Sequence, residues 1–373
     1  MRKLFVITIF FIFLFSFSVN ANAISAQSAV LLDANSGRVL FKKNSKQQLP
    51  MASTTKIMTG LLSCESGNLN ETVKASAFAS GTEGSSLWLK IGEKLTLEEL
   101  TYGLMLKSGN DAAVAIAEHL AGSVDAFALL MNKRAREIGA KNTNFVNPHG
   151  LDADGHYTTA YDLALIAREA MKNKKFREIV STKTYSIPME GEKWDRALKN
   201  HNKLLWRYEG CNGVKTGYTK RCGRCLVSYA KRGDEELICV TLNAPDDWND
   251  HTNLLNYGFD NYNCRNVAKK KDTAYEMLYD EKNNRKVKLL YSEDYKIAVG
   301  ENDKVTTKIQ TEKIQIPSKK GTAAGKITVL CNDKQISEIP LITASDIKKI
   351  TLFHKIKEIL LYLLRKIVSI FSF

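Results

Sequence analysis

The sequence lacks a second cysteine pair at zinc-finger spacing. Cys222 and Cys225 form an isolated C-x-x-C, and Cys64, Cys211, Cys239, Cys264 and Cys331 are scattered, which argues against a structural zinc site. An odd total of seven leaves at least one thiol unpaired in a monomer, and buried free thiols are the expectation. Histidine is scarce, at six. His149, His156 and His201 stand at no metal-ligand spacing, so we read them as loop and core residues and expect neither metal nor cofactor. No internal repeat or low-complexity stretch occurs. Acidic residues are in deficit, 40 against 54 basic ones, giving a formal charge of +14. No basic stripe interleaved with aromatics accompanies that surplus, so nucleic acid is not the expected partner. Anionic lipid headgroups and wall polymers are.

Both ends stand apart from the fold. Arg2 and Lys3, the apolar run Leu4 to Val19 and Ala21-Asn22-Ala23 read as a secretory signal peptide over residues 1–23, which makes the folded part an exported one. From Ile347 to Phe373, Phe353, Ile356, Leu360, Leu363, Leu364, Ile367 and Phe371 recur at helical spacing. Lys355, Glu358, Arg365, Lys366 and Ser369 lie mostly opposite them. The charges argue against a span and for an amphipathic helix over 346–373 lying on an anionic membrane surface.

Between the ends, Ala29–Asp33 and Arg38–Phe41 flank Ala34-Asn-Ser-Gly37 and predict a β-hairpin. Helices are expected from Ser53, over 97–107, over 111–121 and over Asp162–Met171. Strands follow at Val214–Tyr218, Cys225–Ala230 and Leu237–Leu242. Strands at both ends and helices between them imply one antiparallel sheet with helices packed on it, over residues 24–263. Residues 264–345 are Lys-rich with short alternating apolar runs, and read as a small all-β sandwich.

Three motifs carry chemistry. Ser53-Thr-Thr-Lys56 puts a hydroxyl and an amine on one helical face, and a serine needs such a base to become nucleophilic. The same spacing at Ser228/Lys231 runs from a strand into a turn, and Ser345/Lys348 has no companion motif. Ser108-Gly-Asn110, on an inter-helix turn, can present a hydroxyl and an amide to a cleft. Ser66-Gly-Asn68 repeats the pattern too close to Lys56 to fold back on it. Lys215-Thr216-Gly217, on a strand, suits a carboxylate held near the backbone.

The order S-x-x-K, S-x-N, K-T-G resembles that of penicillin-binding proteins and serine β-lactamases. Pro50-Met-Ala-Ser-Thr-Thr-Lys56, Lys107-Ser-Gly-Asn-Asp-Ala112, Asn147-Pro-His-Gly-Leu-Asp152 and Gly213-Val-Lys-Thr-Gly-Tyr-Thr219 are similar to the D-alanyl-D-alanine carboxypeptidases among them. Pro317-Ser-Lys-Lys-Gly-Thr-Ala-Ala-Gly325 resembles that family's C-terminal β domain, and the terminal helix its membrane anchor. The resemblance implies an α+β catalytic domain of the β-lactamase/transpeptidase type acting on a peptidoglycan stem peptide ending in D-Ala-D-Ala, with β-lactams as inhibitors. It casts Ser53 as nucleophile, Lys56 as base and Ser108 as proton relay. Asn110 would hold Lys56 and the substrate amide, and Lys215 would supply positive potential. Thr216 would bind the terminal carboxylate beside Gly217, and the backbone N–H groups of Ser53 and Tyr218 would form the oxyanion hole.

Two departures stand out. Residues 243–251 carry no arginine where many relatives have one, and Cys222 replaces a usual alanine. Four activities share these motifs: carboxypeptidase, endopeptidase, transpeptidase and β-lactamase. The β domain, the terminal helix and the absence of glutamate from residues 145–160 disfavour the last. A non-catalytic penicillin sensor would have no use for a base beside a serine.

Overall fold

A computed structural model of the chain describes residues 24–189, 191–280 and 284–349, together with Leu360, Leu363 and Leu364. The expected leader, and the expected terminal helix apart from those three leucines, lie outside the described residues. Leu360, Leu363 and Leu364 are helical and about half exposed. Two units divide between Tyr262 and Asn263.

The first unit opens with strands β1 (Ser28–Asp33) and β2 (Val39–Lys43), paired antiparallel as the expected hairpin. The Asp33 carboxylate accepts the amides of Asn35 and Ser36 and so shapes the turn. A 3-10 turn, Ala52–Thr55, leads into α1 (Lys56–Glu65). Strands β3 (Thr72–Lys74) and β4 (Lys94–Thr96) bracket α2 (Ala77–Ser80). Helix α3 (Leu97–Tyr102) starts at a Thr96/Glu99 capping box. Helices α4 (Asn110–Ala121), α5 (Val124–Ile138), α6 (Ala160–Lys172) and α7 (Lys174–Ser181) follow. A ribbon of β5 (Thr184–Ile187) and β6 (Arg196–Lys199) precedes the short α8 (Leu204–Arg207). The meander β7 (Cys211–Thr219), β8 (Gly223–Arg232) and β9 (Glu235–Leu242) ends in α9 (Asp247–Asn261).

The main sheet runs β2-β1-β9-β8-β7, antiparallel throughout. The meander closes on the N-terminal hairpin through β1 and β9. Successive side chains of a strand point to opposite faces. Val30, Leu32, Ile238 and Val240 join the large helical core, while Leu31 and Leu237 press on Gly258 of α9. Burial on both faces explains why β1 reads as an unbroken apolar run.

One predicted helix changes form. Residues 97–107 do not continue as α-helix: after Tyr102 the chain widens into a π-turn over Gly103–Lys107 and stops at Ser108, which takes the left-handed φ of 64°. At Gly103 a Cβ would stand 2.1 Å from a Leu87 methyl, so the helix tolerates its neighbouring loop only because that position is glycine.

In the second unit, β10 (Asn263–Ala268) pairs with β13 (Tyr295–Val299). The strands β11 (Thr273–Asp280), β12 (Arg285–Tyr291), β14 (Val305–Thr311), β15 (Ala323–Cys331) and β16 (Lys334–Thr343) form a sheet in the order β11-β12-β16-β15-β14. Ala268, Tyr295 and Ile297 of the ribbon share a core with Val329, Cys331 and Ile339 of the sheet, so this is a β-sheet domain. One expectation is corrected. Ile347, read as part of the terminal helix, bridges to Ser318 and is buried in this domain's core. Its apolar side chain fits a sheet as well as a helix, and the bridge decides. Among the described residues no single helix is long and apolar enough to cross a membrane.

The start of the folded chain is tied down by one carboxylate. Asp250, buried in the first turn of α9, accepts the amides of Ser25 and Ala26 and the Ser25 hydroxyl at 2.8–2.9 Å. Asp250→Ala strands these donors, and we expect a loss of about 3 kcal/mol in urea unfolding. A change below about 0.5 kcal/mol would mean that water replaces the carboxylate without cost.

Candidate active site

The turn bearing Ser53 is held on two sides by backbone. Gly150 has φ +91°, and a Cβ there would stand 1.9 Å from the Ala52 carbonyl oxygen. A Cβ at Gly217 on β7 would stand 3.0 Å from the Ser53 nitrogen. Glycine at these two positions lets a loop and a strand close on the turn, and Ala52 itself carries an unusual φ of 47°. A buried relay braces the turn. The Val146 amide donates to His156 Nδ1, which leaves the ring proton on Nε2 to donate to Thr55 Oγ1 at 2.8 Å. That hydroxyl donates to the Ala52 carbonyl at 2.8 Å.

Lys56, one helical turn after Ser53, is fully buried. Its Nζ lies 2.9 Å from Ser53 Oγ, 2.7 Å from Asn110 Oδ1 and 2.6 Å from the His149 carbonyl oxygen. Burial holds its pKa well below the usual lysine value. The Lys215 charge pushes the same way, and Asp111 opposes both. A neutral amine has two protons and one lone pair. The two oxygens that can only accept take the protons, so the lone pair faces the Ser53 hydroxyl. The Asn110 amide is fixed from behind, its Nδ2 donating to the Glu83 carbonyl at 2.7 Å.

Lys215, also buried, donates to the Thr216 carbonyl at 3.0 Å, and burial lowers its pKa to about 7. Ser53, Ser108, Thr216, Gly217 and Tyr218 all line one cleft of about 930 Å³. Lys56, Asn110 and Lys215 stand behind its wall. All eight residues expected from the motifs therefore lie in or directly behind this one cleft. The rival motifs do not join them. Ser66 caps the end of α1, with Asn68 bonded to Glu71. Ser228 bonds the buried His251, and Lys231 pairs with Glu236.

Several contributors were not legible in the motifs. Asp111, fully buried, accepts the amides of Leu87 and Leu89 and the Ser86 hydroxyl, fixing the loop whose Ser85 lines the cleft. An acid among small apolar residues at a helix start was the available signal. Lys107, Lys199, Lys203, Arg207 and Arg224 add positive charge to the wall, against Asp247. His201, read as structural, is exposed and also lines the cleft. Trp248 sits at the cleft, while Trp88 projects into solvent at 81% exposure. Cys64, Cys211, Cys222, Cys225 and Cys239 are free thiols, four of them buried. Among the described residues no group of three or more His, Cys, Asp or Glu side chains could hold a metal ion.

The family model described as D-alanyl-D-alanine carboxypeptidase matches residues 16–246, and that of the penicillin-binding protein 5 C-terminal domain matches residues 262–349. The chain is 35% identical over 338 residues to the D-alanyl-D-alanine carboxypeptidase DacF of Bacillus subtilis, covering 87% of this chain and 86% of that protein. Penicillin-binding protein 5 of Haemophilus influenzae superposes with a TM-score of 0.74 at 29% identity, over 87% of this chain and 98% of that one. A DD-transpeptidase of Streptomyces K15 superposes at 0.60 with 34% identity, over 64% and 98%.

Burial lowers the pKa of four histidines: His149 to about 3, His156 to about 4, His201 to about 4 and His251 to about 3. Unfolded, each titrates near 6.5, so below that pH the unfolded chain binds more protons. The stability these neutral rings contribute is complete above pH 6.5 and lost as pH falls towards 3. Urea unfolding across that window should show a steady decline, shallower in His156→Gln. A flat profile would contradict the burial argument.

Proposed function

The chain belongs to the D-alanyl-D-alanine carboxypeptidase family, and on that premise we propose that Ser53 is its nucleophile and Lys56 the base that activates it. The protein is a serine-type DD-carboxypeptidase of peptidoglycan, the class of its matched family and relatives. The observation that carries the assignment of residues is the buried Lys56 amine, 2.9 Å from Ser53 Oγ, with two oxygens that can only accept at 2.7 and 2.6 Å.

In this mechanism Lys56 takes the Ser53 proton as Oγ attacks the carbonyl of the penultimate D-alanine. Negative charge develops on the carbonyl oxygen between the Ser53 and Tyr218 amides, brought together by the close approach at Gly217. Ser108, on the cleft wall, passes a proton to the departing D-alanine nitrogen. Asn110 holds Lys56 and the substrate amide, and Lys215 favours the neutral amine. Thr216 faces the terminal carboxylate. Water then hydrolyses the acyl-enzyme, and a β-lactam acylates the same serine.

The arrangement along the chain extends the reading. A leader over 1–23 exports the protein, a catalytic region over 24–263 precedes a β domain, and a basic amphipathic helix beyond Ile347 holds it to an anionic membrane face. The apolar and charged stripes of residues 353–371 support the last point.

Two measurements test these assignments. Release of D-alanine from a peptide ending in Lys-D-Ala-D-Ala should fall at least about a thousandfold in Ser53→Ala. A protein that releases none, yet is acylated at Ser53 by labelled penicillin, would instead be an endopeptidase or transpeptidase. For the helix, a chain ending at Lys349 should lose sedimentation with phosphatidylglycerol vesicles that the full mature chain shows. Equal sedimentation of both would remove the terminal segment from membrane attachment.

A further inference from the structure

A peptidase that removes a single terminal residue has to recognise a free carboxylate, and the catalytic motifs provide little for it. Thr216 offers one hydroxyl. The Lys215 ammonium is buried behind the strand and donates to the Thr216 carbonyl at 3.0 Å. The segment 243–251, before and within the start of α9, contains no arginine. Five cations do line the cleft, and their positions differ.

Register singles out one of them. On β7 and β8, Thr216 pairs with Leu226 and Tyr218 pairs with Arg224. Paired side chains share a face, and residues two apart share it as well. Arg224 therefore stands on the same face as Thr216, one diagonal step along the wall. Lys199 differs: its ammonium lies over the Trp206 ring, 5.8 Å from the centroid.

Arg224 is also held by one edge. Its Nε lies 3.5 Å from Asp247 Oδ1, where the arginine side chain is 43% exposed and the aspartate 5%. Asp247 is fixed in turn by the fold. It opens α9, and its Oδ1 accepts the Trp248 amide at 3.1 Å. Among the described residues Asp247 is the only ion-pair partner of the Arg224 side chain. An arginine ion-paired on its Nε side leaves its two terminal nitrogens as a planar pair of donors, the geometry that fits a carboxylate.

We propose that Arg224, oriented by Asp247, binds the free terminal carboxylate of the substrate beside Thr216, supplying from strand β8 the guanidinium that residues 243–251 lack. This rests on the carboxypeptidase reading of the same cleft. Arg224 thereby sets the preference for chain ends over internal bonds, and Asp247 is its positioning residue.

The test compares a peptide ending in Lys-D-Ala-D-Ala with the same peptide as its C-terminal amide. Wild type should prefer the acid. In Arg224→Ala, kcat/KM on the acid should fall about 10- to 100-fold, the range for a charge-assisted bidentate contact. The amide should change little, so the preference collapses. Arg224→Lys should lose part of the preference, because a point charge replaces the fork. Asp247→Asn should raise KM on the acid more than it lowers kcat. Equal losses on acid and amide, or an unchanged acid rate in Arg224→Ala, would overturn the proposal.

Should wild type release no D-alanine from either peptide, the carboxypeptidase reading fails separately. The arginine is then judged by Ser53 acylation with benzylpenicillin against its methyl ester. A loss confined to the free acid in Arg224→Ala supports the carboxylate role, and equal acylation of both overturns it.

Discussion

Burying a lysine amine next to a serine is the constraint on which the catalytic half of this molecule depends. A charged ammonium with no water around it is costly, and the cheaper state is the neutral amine. That state has few protons to place, and the fold places them. The Asn110 amide oxygen takes one and the His149 carbonyl the other. Each acceptor comes from a different part of the chain, so the central helix and the 147–152 loop both have to be in position to receive the Lys56 amine.

The same constraint explains the dense backbone contacts around Ser53. Excluding water from Lys56 requires close approach, and two glycines permit it: Gly150 against the Ala52 carbonyl and Gly217 against the Ser53 amide. The left-handed Ser108 and the π-turn before it belong to the same design, turning the S-x-N motif towards the cleft as α4 begins. Asp111, next in the chain, spends its buried charge on the amides of the loop opposite. Charge within the site is thus arranged in layers. Burial and the neighbouring Lys215 charge depress the protonation of Lys56, burial alone depresses that of Lys215, and further cations line the cleft wall.

Much of the fold could be read from the chain because its local signals agree. The hairpin at residues 29–41, the meander after Gly213 and the β-sheet character of the C-terminal region followed from alternation and turn residues, and alternation reflects which side of a strand is buried. The reading faltered where two structures fit one pattern. Ile347 fits the terminal helical stripe and the sheet core equally, and its bridge to Ser318 is a pairing across 29 positions that no local pattern encodes. Residues 97–107 carry a helical pattern throughout, yet the widening after Tyr102 answers to Leu87 packed against Gly103.

For the site, the sequence by itself determined the chemistry: a serine with a lysine one turn on, a second serine with an asparagine, and a lysine-threonine-glycine strand. These are local facts, since helix and strand geometry fix what residues three or two apart can do. Only the tertiary structure decided which copy of each motif lies at the cleft and which residues surround it. Ser66/Asn68 and Ser228/Lys231 have the right letters and the wrong places. The His149 carbonyl, the Asp111 brace and the Arg224–Asp247 pair come from positions 22 to 93 residues from their partners. Their signal is distance in space, which a chain acquires only by folding.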